Sequence, residues 1–149
     1  MNDALRERAL RMLARREYAR LELSHKLAPH AESAEGLAAL LDALAASGLL
    51  SDERYAAGRV TSRGARVGDA RLAHELRSKG VASDLVSTAL SGGEDELTRA
   101  RRVWQRKFGC RPASIDDAAE RGRQMRFLAG RGFSGETIRR VLRGILEDD

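Results

Sequence analysis

The sequence has few of the residues that build large, rigid cores: aromatic residues make up 4% of the 149 positions, and there are two prolines. With so few aromatic and β-branched residues, little is available to form the pleated face of a β-strand. Hydrophobic residues account for 42% of the chain and charged residues for 33%, which is the composition of a globular protein. These proportions predict thin, helix-built cores rich in alanine and leucine.

Cysteine and long apolar runs are also scarce. The single cysteine, Cys110, excludes an internal disulfide, and no metal-ligand pattern surrounds it, which favours an intracellular protein. The longest apolar stretch starts at Leu37, contains Asp42 and is shorter than the roughly 20 residues that a membrane span requires. The charged N-terminal residues lack the apolar run of a signal peptide. We therefore expect a cytoplasmic protein without a membrane partner.

The charge balance indicates an acidic partner. The net charge is +5 and the isoelectric point is near 10.1, which favours binding to nucleic acid, an acidic protein surface or an anionic membrane. Lysine occurs only at Lys26, Lys79 and Lys107, so arginine carries most of the positive charge and suits bidentate pairing with phosphate or carboxylate. A GC-rich coding sequence would produce the same bias towards arginine.

The helical period dominates almost every segment and predicts about nine helices. Pro29 marks the end of the second helix, Gly80 marks the end of the fifth, and "SGGEDE" at residues 91–96 is the clearest break. We expect three repeats of three helices each, at residues 1–50, 51–91 and 92–149.

One apolar spacing recurs at three joints between consecutive helices. Its members are Tyr18 with Leu23 and Leu27, Val67 with Leu72 and Leu76, and Phe133 with Ile138 and Leu142. Short helical repeats bury their apolar faces by stacking on their neighbours. The pattern predicts an all-α fold of tandem three-helix repeats, stacked into an elongated, curved molecule. A compact bundle of three helix hairpins is the alternative.

The sequence contains no convincing catalytic, cofactor-binding or metal-binding site. "HELRS" at residues 74–78 places Ser78 where a zinc-peptidase motif needs a second histidine. His25 and His30 are expected at the surface, and Trp104 and Phe108 in the core. Acidic residues at helix starts, such as Glu94 to Glu96, are expected to stabilise the helix dipole. We expect no enzymatic activity, no cofactor and no metal.

Basic and acidic residues are segregated along the chain. Residues 54–79 contain seven basic side chains and two acidic ones, residues 99–111 contain six basic ones and no acid, and residues 31–53 contain five acids and no base. Faces of both signs favour docking onto an assembly of protein and nucleic acid. The alternative is that these are ordinary solvated helix faces.

Four segments, "LARREYARLELSHKL", "GLLSDERYA", "RLAHELRSKGV" and "RFLAGRGFSGETI", resemble the bacterial RecX regulatory proteins in order, spacing and chemistry. The resemblance implies a cytoplasmic, non-enzymatic regulator of the recombinase RecA, built from tandem three-helix repeats. Proteins of this family lie along the groove of the RecA filament on single-stranded DNA and usually restrain ATP hydrolysis, strand exchange and co-protease activity. Two residues depart from the family pattern: Ala19 stands where many relatives have serine, and Asp69 where proline or a basic residue is common.

The partner contacts are expected among the basic residues beside the three joints. These are Arg15, Arg16 and Arg20; Arg63, Arg66 and Arg71; and Arg131, Arg139 and Arg140. Each could instead pair with acids of the neighbouring repeat. Two other functions remain open, a direct DNA-binding protein of the helix-turn-helix type and a structural adaptor without a nucleic-acid role. We expect a monomer that binds the RecA filament, with weak direct binding to DNA.

Overall fold

The computed structural model describes residues 3–109 and 117–147. Within these residues it contains nine α-helices, one short 3-10 turn (Ala28–His30) and no strand. The helices are α1 (Asp3–Arg15), α2 (Arg20–Leu27), α3 (Ala34–Ala46), α4 (Asp52–Arg63), α5 (Asp69–Ser78), α6 (Ser83–Gly92), α7 (Glu96–Phe108), α8 (Ala118–Gly130) and α9 (Gly135–Glu147). The all-helical prediction is confirmed. Cys110 and Arg111 lie outside the described residues, as does the predicted start of the eighth helix near Ile115.

Several helix ends carry capping residues that can be recognised in the sequence. The Ser33 hydroxyl accepts a hydrogen bond from the Gly36 N–H at 3.0 Å and caps α3. The Asp95 carboxylate does the same for α7, accepting from the Thr98 N–H at 2.7 Å. Gly80 follows α5 with a φ of +82°, the left-handed conformation that glycine adopts without strain.

The chain forms two compact units. The first comprises Met1–Gly58 and Leu76–Ala89, and the second comprises Arg59–Glu75 and Leu90–Asp149. Residues 51–91, which the sequence predicts as the middle repeat, therefore contribute to both units. The boundaries of the three repeats and their curvature remain predictions.

Each unit has an apolar core made of aliphatic side chains and few aromatic ones. The core of the first unit contains Leu5, Ala9, Tyr18, Leu23, Leu27, Leu37, Leu41, Leu44 and Leu50. The core of the second contains Ala100, Val103, Leu128, Phe133, Ile138 and Val141. Of the nine residues that define the recurring joint, eight are buried and Leu142 is half-buried. The apolar spacing was therefore a correct guide to the interior.

The start of α2 has no side-chain cap at its N-cap residue, because Ala19 has no polar side chain. The Arg20 N–H donates to Asp52 Oδ1 at 2.7 Å, so the first residue of α4 supplies an acceptor for the first N–H of α2. The Glu22 carboxylate accepts from the Ala19 N–H at 3.4 Å. Two carboxylates, one of them distant in sequence, thus satisfy backbone N–H groups at the start of α2.

Candidate anion-binding groove

A basic groove of about 280 Å³ lies in the second unit. Its lining residues are Arg66, Val103, Arg106, Lys107, Phe127 and Arg131. Four of these six side chains are cationic, and none of the described residues that line the groove carries a carboxylate. Because like charges close together repel, such a cluster favours a bound anion. We refer to this surface as the basic groove.

Helix α7 contributes one wall of the basic groove. Arg106 and Lys107 lie three and four positions after Val103, which places both beside Val103 on the surface of the helix. Val103 is buried, whereas Arg106 and Lys107 are exposed near the C-terminal end, where the helix dipole favours positive charge. The Arg106 guanidinium also donates to the carbonyl of Ala65, in the link between α4 and α5.

The Phe127 ring of α8 orders two of the cations. The Arg131 guanidinium carbon lies 5.1 Å from the ring centroid, and Lys107 Nζ lies 5.5 Å from it. The ring itself meets Phe108 edge to face, with their centroids 5.4 Å apart. A cation–π contact holds a charged group in place without neutralising it. Arg131 and Lys107 are thus oriented and still able to bind an anion.

Arg66 and Arg131 enter the groove from two links that are hydrogen-bonded to each other. Arg66 belongs to the link between α4 and α5, and Arg131 begins the link between α8 and α9. The Gly68 N–H of the first link donates to the Arg131 carbonyl at 2.7 Å. A methyl group at Gly68 would lie 2.5 Å from the carbonyl carbon of Gly132, so only glycine permits this approach.

The predicted contact residues of the first unit are mostly paired within the protein. Arg16 forms an ion pair with Glu22 at 3.0 Å, and its guanidinium carbon lies 3.6 Å from the centroid of the Tyr18 ring. The hydrogen bond from Glu22 raises the pKa of Arg16. Arg20 pairs with Asp42 at 2.7 Å, and Arg15 is exposed without an ion pair among the described residues.

Two predicted residues of the second unit also have internal partners. Arg63 pairs with Glu75 at 2.7 Å, and this hydrogen bond lowers the pKa of Glu75. Arg71 lies 3.8 Å from the same carboxylate and donates to the Gly130 carbonyl at 3.2 Å. Both side chains therefore have partners within the second unit.

Arg139 and Arg140 are exposed on α9, outside the basic groove. The pKa of Asp95 is lowered first by hydrogen bonds from Thr98 and, to a smaller extent, by the positive charges of Arg101 and Arg140. Of the nine predicted contacts, Arg66 and Arg131 line the basic groove, whereas Arg63 and Arg71 meet at the Glu75 carboxylate. All nine remain predicted partner contacts.

The sequence prediction did not include Arg106 and Lys107, which complete the groove. Both belong to the basic run at residues 99–111, but the same run contains Arg99, which is buried, and Arg101 and Arg102, which are exposed and do not line the groove. Their spacing from Val103 was the available signal, because an apolar residue three or four positions away marks the face that lies against the protein.

The described residues contain neither a candidate metal site nor a candidate membrane-spanning helix. They contain no cluster of three or more histidine, cysteine, aspartate or glutamate side chains able to hold a metal ion. No helix in the described part of the chain combines the length and apolar character needed to cross a membrane.

Comparison with known proteins identifies the family. The model of the second three-helix domain of RecX matches residues 51–90, and that of the third three-helix domain matches residues 94–142. A protein of Chromobacterium violaceum named Regulatory protein RecX is 51% identical over 146 residues, which are 98% of this chain and 93% of that protein. The chain belongs to the RecX family. The resemblance carried by the four sequence segments is confirmed.

Other RecX proteins support the same conclusion. A Regulatory protein RecX of Leptothrix cholodnii is 49% identical across 94% of this chain and 88% of its own length. The crystal structure of RecX from Lactobacillus salivarius is similar with a TM-score of 0.81, over 96% of this chain and 95% of that chain. At 20% identity, this likeness shows the RecX fold alone.

Proposed function

We propose that this chain binds the RecA recombinase filament on single-stranded DNA and modulates it, mostly by inhibiting ATP hydrolysis, strand exchange and co-protease activity. The observation that carries this proposal is the 51% identity, over nearly the whole chain, to a protein named Regulatory protein RecX. The role is regulatory rather than enzymatic, and it is performed in the cytoplasm by a monomer.

The basic groove supports this proposal because its four cations have no carboxylate partner within the described residues. A nucleoprotein filament presents phosphates and acidic side chains at regular intervals, to which such a surface is complementary. Several weak contacts made along one filament add to a useful affinity, because each contact after the first is intramolecular. Occupation of the filament by a bound regulator would hinder the subunit motions that ATP hydrolysis requires.

A titration of preformed RecA filaments tests the function. The steady-state rate of ATP hydrolysis is measured as the full chain is added, from well below to well above the concentration of recombinase. We expect the rate to fall at or below equal stoichiometry. An unchanged rate over the whole titration would contradict the proposed function.

A double charge reversal tests the contribution of the basic groove. Arg66→Glu with Arg131→Glu should raise the concentration needed for half-inhibition about tenfold or more, because two attractive contacts become repulsive. The matched control is Arg126→Glu with Arg143→Glu, which changes the net charge equally at two exposed positions outside the groove. Equal effects of the two pairs would show that only the net charge matters.

Direct binding to DNA is a second candidate function, favoured by the same four unpaired cations. Binding of naked DNA should then show sequence preference and a steep salt dependence, with about 0.7 to 0.9 added to the slope for each phosphate contact. Weak binding without sequence preference would instead favour the filament as the partner. The two functions are separated by measuring DNA affinity and filament ATPase under the same salt conditions.

A further inference from the structure

One face of α7 carries two sets of residues with different surroundings. Glu96 and Arg99 lie near its N-terminal end, whereas Arg106 and Lys107 lie near its C-terminal end and line the basic groove. Arg99 and Arg106 are separated by seven positions, or two helical turns, so they share a face of the helix. Arg99 is only 4% exposed, and it is not among the residues that line the basic groove.

The Arg99 guanidinium fixes the link that carries Arg66. Its Nη1 donates to the carbonyl of Val67 at 2.8 Å and to that of Gly64 at 3.2 Å. Its Nη2 pairs with the carboxylate of Asp69, the first residue of α5. Arginine alone can make these bonds together, because its planar fork offers five donors in fixed directions and lysine offers a single ammonium.

The Glu96 carboxylate fixes the far ends of both links. It accepts from the Asp69 N–H at 2.7 Å, where the link from α4 enters α5. It also accepts from the Ser134 N–H at 3.2 Å and from the Thr137 hydroxyl at 2.7 Å, where the link from α8 enters α9. Burial opposes ionisation of Glu96, but the hydrogen bonds from Thr137, Asp69 and Ser134 outweigh it and lower the pKa.

Neither Glu96 nor Arg99 forms an ion pair with a cation of the basic groove. Asp69, the partner of Arg99, has a raised pKa because of burial, with the repulsion of nearby carboxylates adding to it against the attraction of Arg99. Arg99 is buried but the Asp69 side chain is 38% exposed. Taking the charge of Arg99 out of water offsets much of what the ion pair gains, and such pairs are retained in some proteins because they fix one conformation. The bonds of Arg99 and Glu96 to the two links are therefore best explained by what those links hold in place.

We propose that Glu96 and Arg99 are positioning residues of the basic groove: without touching the ligand, they fix the two links so that Arg66 and Arg131 face Arg106 and Lys107. This inference rests on the proposed function, because it concerns the surface that contacts the filament. It predicts that the anion affinity of the groove depends on two residues that lie outside it.

The test compares conservative variants in the full chain. Arg99→Lys keeps the charge and removes the fork, and Glu96→Gln keeps one acceptor oxygen and removes the charge. The matched controls are Arg102→Lys and Glu94→Gln, because Arg102 of α7 and Glu94, two residues before α7, form an exposed pair at 2.7 and 2.9 Å, and these two side chains bond to neither link. The probe is a fluorescein-labelled oligothymidylate, titrated at several salt concentrations.

We expect Arg99→Lys and Glu96→Gln to weaken binding about tenfold and to reduce the salt slope by about one contact, while the controls stay within about twofold of the wild type. Unfolding followed through Trp104, the single tryptophan of the chain, gives the folded fraction in the same buffer. Wild-type affinity in both variants, after correction for that fraction, would overturn the proposal. If Arg99→Lys does not fold, Glu96→Gln and Thr137→Val decide the matter.

A double-mutant cycle separates positioning from simple stabilisation. Arg66→Ala should weaken binding about fivefold in the wild type and less than about twofold in the Arg99→Lys or Glu96→Gln background, because Arg66 is already displaced there. Equal losses in all backgrounds would show that the two residues only stabilise the fold.

Filament ATPase tests the proposed function, whereas oligothymidylate binding and the double-mutant cycle test the positioning role. If the wild type inhibits filament ATPase but the cycle shows no coupling, the positioning role is wrong and the function stands. If the wild type binds oligothymidylate and the cycle shows coupling, but filament ATPase is unchanged, the function is wrong and the positioning role stands. If the wild type does not bind oligothymidylate, the positioning role is wrong.

Discussion

Arg16 of the first unit and Arg131 of the second unit occupy equivalent places, each two residues before the aromatic residue of a helix joint, Tyr18 or Phe133. Both guanidinium groups lie over an aromatic ring. Arg16 is also ion-paired with Glu22, four residues after Tyr18, at 3.0 Å. The corresponding position after Phe133 is Thr137, which has no charge. Because Thr137 stands where the first unit has Glu22, Arg131 has no carboxylate partner at this position and remains available to an external anion.

The carboxylates of the two units also differ in what they bind. In the first unit Asp42 and Glu22 each pair with an arginine of the α1 to α2 joint. In the second unit Glu96 accepts hydrogen bonds from backbone N–H groups and a hydroxyl. Glu96 therefore shapes the links of the second unit. Glu75 of this unit pairs with Arg63 and Arg71, and the four cations of the basic groove have no carboxylate partner among the described residues.

The two units share one capping arrangement in spite of this difference. Asp52, the first residue of α4, accepts from the N–H of Arg20, the first residue of α2. Glu96, the first residue of α7, accepts from the N–H of Asp69, the first residue of α5. In both cases an acid that begins one repeat caps the second helix of the repeat before it. The repeats thus retain a common backbone contact while their surface charges differ.

The largest expected effect concerns the close approach of the two links in the second unit. Gly68→Ala should destabilise the protein by about 3 kcal/mol, because the added methyl group would lie 2.5 Å from backbone atoms of Gly132 and Phe133. The matched control is Gly58→Ala in the first unit, where a methyl group meets nothing within 4 Å inside a helix and should stabilise by up to about 1 kcal/mol. Urea unfolding followed by circular dichroism measures both, and a Gly68→Ala protein as stable as the wild type would refute the close approach.

An intermediate effect concerns pH and compares Glu96 with Glu22. Both have a pKa lowered in the folded protein, in each case by hydrogen bonds that outweigh burial. A lowered pKa stabilises the folded state above about pH 4.3, the unfolded value, and this contribution is lost as pH falls through the folded pKa. Glu96→Gln and Glu22→Gln should each cost about 1 to 2 kcal/mol at pH 7, and the difference from wild type should shrink as pH falls below about 4.

The measurement for this prediction is the urea midpoint of the wild type and both variants at several pH values between 7 and 3.5. Glu53→Gln is the control, because Glu53 is exposed in the first turn of α4 and forms no ion pair among the described residues. A constant difference between Glu96→Gln and the wild type at all pH values would mean that the charge of Glu96 contributes nothing to stability.

The smallest expected effect compares the two equivalent arginines directly. Arg16→Ala should destabilise the protein by about 1 kcal/mol, because the Glu22 side chain is only 10% exposed and loses its main partner. Arg131→Ala should cost at most about 0.5 kcal/mol, since the lost cation–π contact is offset by weaker repulsion within the groove. For filament inhibition the order should be reversed, with the larger loss in Arg131→Ala. The same order in stability and in inhibition would argue against a functional difference between the two joints.

The sequence was a good guide to the helices because the signals for them are local. The predicted third helix, 34–46, coincides with α3, and Ser33 caps it as serine does at many helix starts. The recurring triplets identified buried side chains because a helix must cover its apolar stripe whatever its neighbours are. His25 and His30 are exposed and Phe108 is buried, as expected, and Trp104 is half-buried.

The sequence was a poorer guide to which charges are free. Glu96 was expected to act only on the dipole of its own helix, yet it contacts the starts of two others. Arg106 and Lys107 were recognised as basic but not as part of a site. Such assignments depend on which side chains meet across the fold, and the local sequence does not encode those distances.

By itself, then, the sequence determined that this protein is helical, where most helices begin and end, which residues form the apolar cores, and to which family the chain belongs. Helix periodicity, caps and apolar spacing act within a few residues, so they can be read along the chain. The tertiary structure decided that Arg16, Arg20 and Arg63 are ion-paired within the protein, whereas Arg66 and Arg131 share a groove without a carboxylate. The physical reason is that an ion pair needs its two groups within about 4 Å, and only folding brings residues from distant helices that close.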